Sequence, residues 1–347
     1  MKIAIITDQH FGARKNSKLF HDYFLEFYEN VFFPTLEKEG ITTVIDMGDT
    51  FDSRKGIDFA ALTWAKDNYY DRLKDMGITV HTIVGNHTAY YKNTNDINAV
   101  DLLLREYENV KIYSETTPIE VGGLSILLVP WINKENEEKS VAMIKKSQSP
   151  VCMGHLELNG FRATPGHMME HGMDWEIFKK FNKTFSGHYH CRSSQDNIYY
   201  LGNPYEMFWN DVDDENRGFH LFDTDTLEHT PVNNPYRLHK IIFYSDQDYQ
   251  LFDARELEDK IVKVVVRNKS DRVKFEKFID KLYSVNVAEL KIVENFGLLD
   301  DKEFEAFESE DTISILNRYV DESEIDLDKS RIQKVLNDTY KEACELV

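Results

Sequence analysis

One stretch, TTVIDMGDTFDSR from Thr42 to Arg54, constrains this chain more than any other. Val44, Ile45 and Met47 carry an apolar strand to Gly48 and then straight into Asp49. A buried strand that ends in glycine and a carboxylate delivers a charge at the lip of the core, in an exposed turn. Asp49 reads as a ligand shared by two metal ions. A carboxylate has an oxygen for each of two cations held about 3.5–4 Å apart, whereas an imidazole has one free lone pair. The rest of the chain must then supply the remaining ligands.

Four other strand ends offer them. KIAIITD breaks out at Asp8 and His10, which on an extended chain point the same way. ITVHTIVG delivers Asn86 and His87, a strand from Val151 delivers His155, and a strand over 183–187 delivers His188 and His190. Phe20, Phe24, Phe27, Tyr28, Val31, Phe32 and Leu36 recur at helical spacing over 19–38, closed by Gly40, and further helices are predicted over 58–76 and near 96–107. Strands then crowd together at 110–113, 118–121, 124–131, 197–201 and 219–223, around one charged helical segment at 134–147. Helices and strands alternate first and strands dominate later, with polar residues at their ends. That order predicts an α/β fold of two packed sheets flanked by helices, with a site along one rim.

Past residue 235 the character changes. Strands at 240–245 and 261–266, a helix presenting Phe275, Phe278, Ile279 and Leu282, and a strand at 287–293 make a small α+β unit, locally basic at Arg267, Lys269, Arg272 and Lys274. Residues 298–311 read as an acidic linker. Two short amphipathic helices follow, near 312–320 with Ile313, Leu316 and Tyr319, and near 329–346 with Ile332, Val335, Leu336 and Tyr340. Beyond a polar linker such helices cannot bury their stripes alone, so 312–347 reads as a docking module for another chain, with packing back on the parent domain as the alternative.

Charge narrows the function. A net charge of −20 excludes a free-standing nucleic-acid binder that relies on its own field, because a phosphate backbone is repelled at long range. Residues 295–347 alone hold 15 Asp and Glu against 6 Lys and Arg, so the body is only mildly acidic, and bound divalent ions would offset part of that. Cys152, Cys191 and Cys344 are too few and scattered for a disulfide framework or a zinc knuckle, which points to a reducing cytoplasm. The first carboxylate arrives too soon for a signal peptide, and no run approaches the ~18 apolar residues of a membrane span. A soluble protein with no membrane partner is expected.

The candidate ligands Asp8, His10, Asp49, Asn86, His155, His188 and His190 mix carboxylate, imidazole and amide. Such a set suits divalent ions like Mn²⁺, Fe²⁺ or Zn²⁺, and the lack of thiolate argues against structural zinc. Any one of these histidines alone would be an ordinary strand-end residue. Together they point to metals.

The order D-x-H, GD-x-x-D, GNH, GH and GHxH, at Asp8/His10, Gly48-Asp49/Asp52, Gly85-Asn86-His87, Gly154-His155 and Gly187-His188-Tyr189-His190, resembles the calcineurin-like metallophosphoesterase superfamily. Within it the chain is similar to the SbcD-type DNA repair nucleases, a branch also matched by Val129-Pro130-Trp131 and by YLGNPYEMF at 200–208. The resemblance implies a two-sheet metallophosphoesterase sandwich over 1–235, a capping domain over 236–297 and a helical tail. It implies that Asp8, His10 and His190 hold one metal, that Asn86, His155 and His188 hold the other, and that Asp49 bridges them. Mn²⁺ is the foremost candidate, with Mg²⁺, Fe²⁺ and Zn²⁺ as alternatives. Solvent made acidic between the metals would attack phosphorus in line, and His87, oriented by Asp52, would protonate the leaving 3′ oxygen. Thr88 stands where many relatives carry an acidic residue, and some nucleases of this branch have histidine at the Asp52 position.

Function follows by the same resemblance. The implied activity is a 3′-to-5′ exonuclease and endonuclease on DNA, in double-strand-break processing and recombination. An SbcC-type ABC ATPase with a coiled coil would dock on the tail, and two nuclease chains would form a homodimer within a heterotetramer, through residues such as 59–70 and Tyr90/Tyr91. The alternatives are a related phosphoesterase acting on phosphoproteins or small nucleotides, and a scaffold that keeps the fold without the chemistry.

Overall fold

The computed structural model describes residues 1–164, 167–212, 216–246 and 248–294, together with 320, 329, 331–333, 335 and 336. The chain divides into two units, Met1–Ile292 and Val293–Val347. In the second, the described positions of the tail are helical, with Val335 exposed and Ile332 and Leu336 half-buried. Ile313, Leu316, Tyr319 and Tyr340, and the linker 298–311, lie outside the described residues.

The first unit is built on two six-stranded sheets. In the first, the strands Lys2–Ile6, Thr43–Asp46, Thr79–Ile83 and Val110–Tyr113 run parallel, extended by Gly218–Asp223 and His229–Asn233 in antiparallel pairing on the Lys2–Ile6 side. In the second, Ile198–Tyr200, Lys183–Ser186, Val151–Gly154 and Leu124–Val129 run parallel, edged by the antiparallel strands Ser193–Gln195 and Thr117–Val121. Strand side chains alternate between faces, and the sequence uses both. Ile3 and Ile5 join Ile45, Met47 and Ile83 against Ile126, Leu128, Val151, Met153 and Phe185 in the core between the sheets. Ala4, Ile6, Val44 and Val80 face the helices on the other side.

Those helices are aromatic-rich and each contains one wide turn. Lys18–Phe27 passes through a π turn at Tyr28–Phe32 into Phe33–Glu39, ended by Gly40 at φ 64°. Phe59–Ala65 passes through a π turn at Lys66–Tyr70 into Asp71–Asp75. An i→i+5 turn shifts the helix face by one residue, a shift the 3.6-residue spacing does not encode. Across the second turn Tyr69 and Tyr70 are both buried, so the 59–70 stretch divides between these two rings in the core and the exposed Phe59. Tyr90 and Tyr91 are exposed as well.

The helix expected near 96–107 is shorter, Ala99–Leu104, because Asn98 caps it through the backbone N–H of Asp101. The strand His229–Asn233 contains Pro231, which local propensity rejects, but as an edge strand it needs only one pairing partner. The hairpin strands Arg162–Thr164 and His167–Met168 are likewise too short to announce themselves in sequence.

The small α+β unit has its own three-stranded sheet, from His239–Ser245, Ile261–Asn268 and Glu289–Glu294, and a helix Arg272–Ser284 capped by Asp271. Tyr244, Val262, Val264, Phe278 and Leu282 fill its core. It is tied to the sandwich at Glu206, which is fully buried and accepts hydrogen bonds from the backbone N–H groups of Leu238 and His239 while pairing with Arg237 at 2.5 Å. No helix among the described residues is long and apolar enough to cross a membrane.

Candidate metal centre

Parallel pairing is what gathers the site. The registers Ile6↔Asp46 and Asp46↔Thr82 in one sheet, and Ser186↔Gly154 and Val129↔Gly154 in the other, bring the carboxyl ends of these strands to a common edge. In α/β sheets that edge is where ligands bind. Every candidate ligand emerges there.

The turns that carry them are bent sharply. Asp8, His10, Asp49 and His188 all have left-handed backbone, at φ 53°, 47°, 51° and 82°. Asp8 and His10 therefore do not share a face through extended alternation, as their spacing suggested; a left-handed turn at each aims them into the site. Such conformations cost roughly 1–3 kcal/mol each and persist where the surroundings over-determine them. Those surroundings include Gln9, which is buried between the two ligands. Its side chain donates to Asp46 Oδ2 (3.0 Å) and accepts from Tyr28 Oη (2.6 Å), and its carbonyl accepts from Tyr205 Oη (2.5 Å). Close approach also demands glycine at two positions. A Cβ on Gly85 would lie 2.2 Å from Asp49 Oδ1, and one on Gly187 would lie 2.0 Å from Thr7 Oγ1.

Three groups of possible ligand atoms result among the described residues; one of them, His10, Asp52 and His87, shares His10 with another, and the other two carry the expected ligand set. Asp8, His10 and His190 form one: His10 Nε2 is 3.2 Å from His190 Nε2, and these nitrogens are 4.0 and 3.9 Å from Asp8 Oδ1. Asp49, His155 and His188 form the other, with Asn86 among them. Asp49 Oδ2 is 3.1 Å from His155 Nε2, and Asn86 Oδ1 is 2.9 Å from both His155 Nε2 and His188 Nδ1. The other nitrogen of His155 lies 2.9 Å from the carbonyl of Met47, to which it must donate, so Nε2 is the atom left to offer a lone pair.

These separations fit cations. Ligands about 2.0–2.2 Å from one ion in tetrahedral or octahedral geometry are about 3–4 Å from each other. Electrostatics keeps two of the rings unprotonated. Burial with the nearby charge of His155 pushes His188 down to about 3, and burial with His10 and Arg217 pushes His190 well below the ordinary imidazole range. Both rings thus present lone pairs. Burial alone would raise Asp49, but His155, His87 and His10 hold it well below the usual carboxylate range. Burial opposes a charge on His155 too, yet Asp49 and Asp8 raise it to about 9. Asp8 is raised, chiefly by burial.

His87 and Asp52 stand beside the first group. The ring of His87 packs edge-on to His10 at 4.8 Å, and its backbone N–H donates to Asp49 Oδ1 at 2.7 Å. Asp52 touches His87 through its backbone carbonyl, 2.7 Å from Nδ1, while its carboxylate lies 3.1 Å from Nδ1 of His10. Asp52 thus meets the His87 ring, as expected of its orienting partner, but through main chain, and its carboxylate lies against His10. Nδ1 of His87 donates to that carbonyl, which leaves Nε2 outside this contact.

The sequence model of the calcineurin-like phosphoesterase family matches residues 1–192, a span that contains all of these side chains. The chain belongs to this family. It is a hydrolase of phosphate esters, and divalent metal ions are part of the chemistry of that fold. Exonuclease subunit 1 of Enterobacteria phage T4 is 32% identical over 349 aligned residues, covering 99% of this chain and 100% of that protein. Among solved structures, a dimetal phosphatase from Danio rerio is 11% identical with a TM-score of 0.40, covering 64% of this chain and 91% of its own. The Pseudomonas putida nuclease MPE is 14% identical with a TM-score of 0.29, covering 65% and 86%.

As a calcineurin-like phosphoesterase, the chain owes parts of its site to residues that sequence reading passed over. Gln9 sits inside the Asp8–His10 turn, and Tyr28 and Tyr205 hold it by donating to its side chain and its carbonyl. The signal available for Tyr205 was its place in the NPYEMF run, and for Gln9 its place between two ligands.

Proposed function

We propose that this chain is the nuclease subunit of a DNA-processing complex, hydrolysing phosphodiesters with two divalent metals. The observation that supports this best is the convergence of Asp8, His10 and His190 and of Asn86, His155 and His188 on either side of Asp49, within a chain alignable end to end with a phage exonuclease subunit. In this reading the first three residues hold one ion, the second three hold the other, and Asp49 serves both. When bound, two such ions acidify a solvent nucleophile and neutralise charge on the phosphate oxygens. The chain's own residues do the rest. Asp52 holds His10 in its ligating orientation, Met47 holds His155, and His87 offers Nε2 to the leaving 3′ oxygen.

Mn²⁺ is the proposed ion, by resemblance to the SbcD-type nucleases. The same resemblance supports 3′-to-5′ exonuclease and endonuclease action in break processing and recombination, in the cytoplasm. Residues 236–297 serve as the cap, and 312–347 dock an SbcC-type ATPase whose surface supplies DNA affinity that a chain of charge −20 lacks. A homodimer within a heterotetramer completes the assembly.

The test is end-labelled duplex DNA with Mn²⁺, against a phosphopeptide and a cyclic nucleotide, with His87→Ala as control. Cleavage of DNA that vanishes in the variant is expected. Turnover of the phosphopeptide or the small nucleotide with DNA untouched, even beside the ATPase, assigns the chain to the other branch of the family. A chain ending at residue 311 should lose the ATPase on co-purification and keep its Mn²⁺; retention of the ATPase removes the tail from the interface.

A further inference from the structure

Beside the second group of ligands lies an open cavity of about 500 Å³, walled by Trp131, Leu156 and Met173. Two of its wall residues adjoin the candidate centre: the Trp131 ring is 5.4 Å from that of His188, and Leu156 follows His155 in the chain. Trp131 is held by its main chain. Its N–H donates to the carbonyl of Val84 at 2.7 Å, and its carbonyl accepts from Asn95 at 2.9 Å and Asn136 at 3.0 Å. Its backbone is thereby fixed, and the half-buried indole packs against the His188 ring.

The charged groups lining the cavity are unbalanced. Glu137, Glu157 and Asp174 face one cation, Lys134. Three carboxylates disfavour a phosphate there and accept hydrogen bonds from N–H groups. A planar ligand that stacks on indole and donates N–H bonds is a nucleobase, and carboxylates accept from the amino groups that guanine, adenine and cytosine carry and thymine lacks.

We propose that this cavity is a nucleobase subsite, with Trp131 the stacking platform and Glu157 an acceptor for an amino-bearing base, and that it positions the nucleotide flanking the scissile phosphate. The proposal rests on the nuclease reading above and deepens it. Trp131 acts as a positioning residue; the chemistry stays with the metal centre. The consequence is selectivity at one base, with thymine the poorest.

The experiment uses the full chain with Mn²⁺ and duplexes in which the nucleotide on each side of the cleavage position is made abasic in turn. Trp131→Ala should lower kcat/KM on intact DNA by about tenfold or more, within the range that base stacking supports. On one of the two abasic duplexes, wild type should fall to the rate of the variant, and the variant should fall no further. Trp131→Phe should recover most of the loss, and Glu157→Gln should narrow the difference between guanine and thymine. Equal loss in the variant on intact and abasic DNA would mean that Trp131 only props His188, and would overturn the subsite; so would a variant as active as wild type. Quenching of Trp131 fluorescence by dGMP more strongly than by dTMP, read against Trp131→Phe, separates the two claims. Selective quenching without DNA cleavage sinks the nuclease reading and supports the subsite, whereas DNA cleavage without quenching sinks the subsite alone.

Discussion

The carboxylate of Asp49 lies 3.1 Å from Nε2 of His155, and both side chains are sealed from solvent. Each holds the other in its charged form while burial opposes both. Asp49→Asn keeps the shape and removes the charge that the site is built around. Activity is expected to drop at least about 10³-fold, as for loss of a central electrostatic group. Mn²⁺ should also stop raising the melting temperature of the variant, since only an ion that binds the folded chain stabilises it. Differential scanning fluorimetry with and without Mn²⁺ checks this.

His87 is expected to behave differently. It stands next to the ligands, and its Nδ1 is occupied by the Asp52 carbonyl. His87→Gln should retain Mn²⁺ binding in calorimetry and lose about 10²–10⁴-fold in single-turnover cleavage of DNA, the usual range for a general acid. With a p-nitrophenyl diester, whose leaving group needs no proton, the loss should be much smaller. Equal losses on both substrates would remove the acid role.

Asp52→Asn tests the division of roles between its carboxylate and its carbonyl. Its carboxylate sits against His10, so the variant should weaken Mn²⁺ affinity by about 10–100-fold, the usual cost of losing an outer-shell partner. Saturating Mn²⁺ should restore most of the rate, because the carbonyl that orients His87 is unchanged. A rate defect that saturating metal leaves intact would contradict this.

Glu206→Ala strips two backbone N–H groups and Arg237 of their common acceptor, where the small α+β unit meets the sandwich. Breaking one side of a buried charged network costs roughly 3–5 kcal/mol. Urea denaturation should show that loss, with metal binding intact in the folded variant.

Acid should destabilise the chain in two stages. Burial, with Arg192 nearby, pushes His220 down to about 3, and burial, with Lys111 nearby, pushes His81 down to about 4. Because their folded values lie below the unfolded value near 6.5, the unfolded chain takes up protons first. Stability is therefore complete above about pH 6.5 and falls as pH drops toward 4, by up to about 1.4 kcal/mol per pH unit for each fully titrating group. Glu206 adds a second stage. Burial would raise its carboxyl, but His239 and Arg237 hold it low, so its contribution is present above the ordinary Glu value and is lost as pH falls from there through the lowered folded value. Denaturation curves in chelator at pH 7, 5.5 and 4.5 check the slope, and His220→Asn should flatten the first stage.

Much of this was legible in the chain. Strand periodicity, the glycines at strand ends and the choice of ligand-type residues at Asp8, His10, Asp49, Asn86, His155, His188 and His190 are local properties. A strand announces its exit turn wherever it ends up, and the family resemblance supplied the pairing of ligands into groups. The π turns at Tyr28–Phe32 and Lys66–Tyr70 were not legible, because a one-residue shift of a helix face is decided by what the face packs against. The proline-bearing strand His229–Asn233 was hidden for a related reason: pairing at a sheet edge overrides local propensity.

By itself the sequence determined which atoms reach the rim, since alternating apolar strands can end in only a few ways and each end here carries a donor. Only tertiary structure decided who meets whom. Asp52 gives its carboxylate to His10 and its carbonyl to His87, Gln9 is clasped by Tyr28 and Tyr205, and Trp131 leans over His188. These contacts join residues as much as 196 positions apart. They depend on strand register and on the sharp left-handed turns at the rim, and neither can be computed from neighbours along the chain.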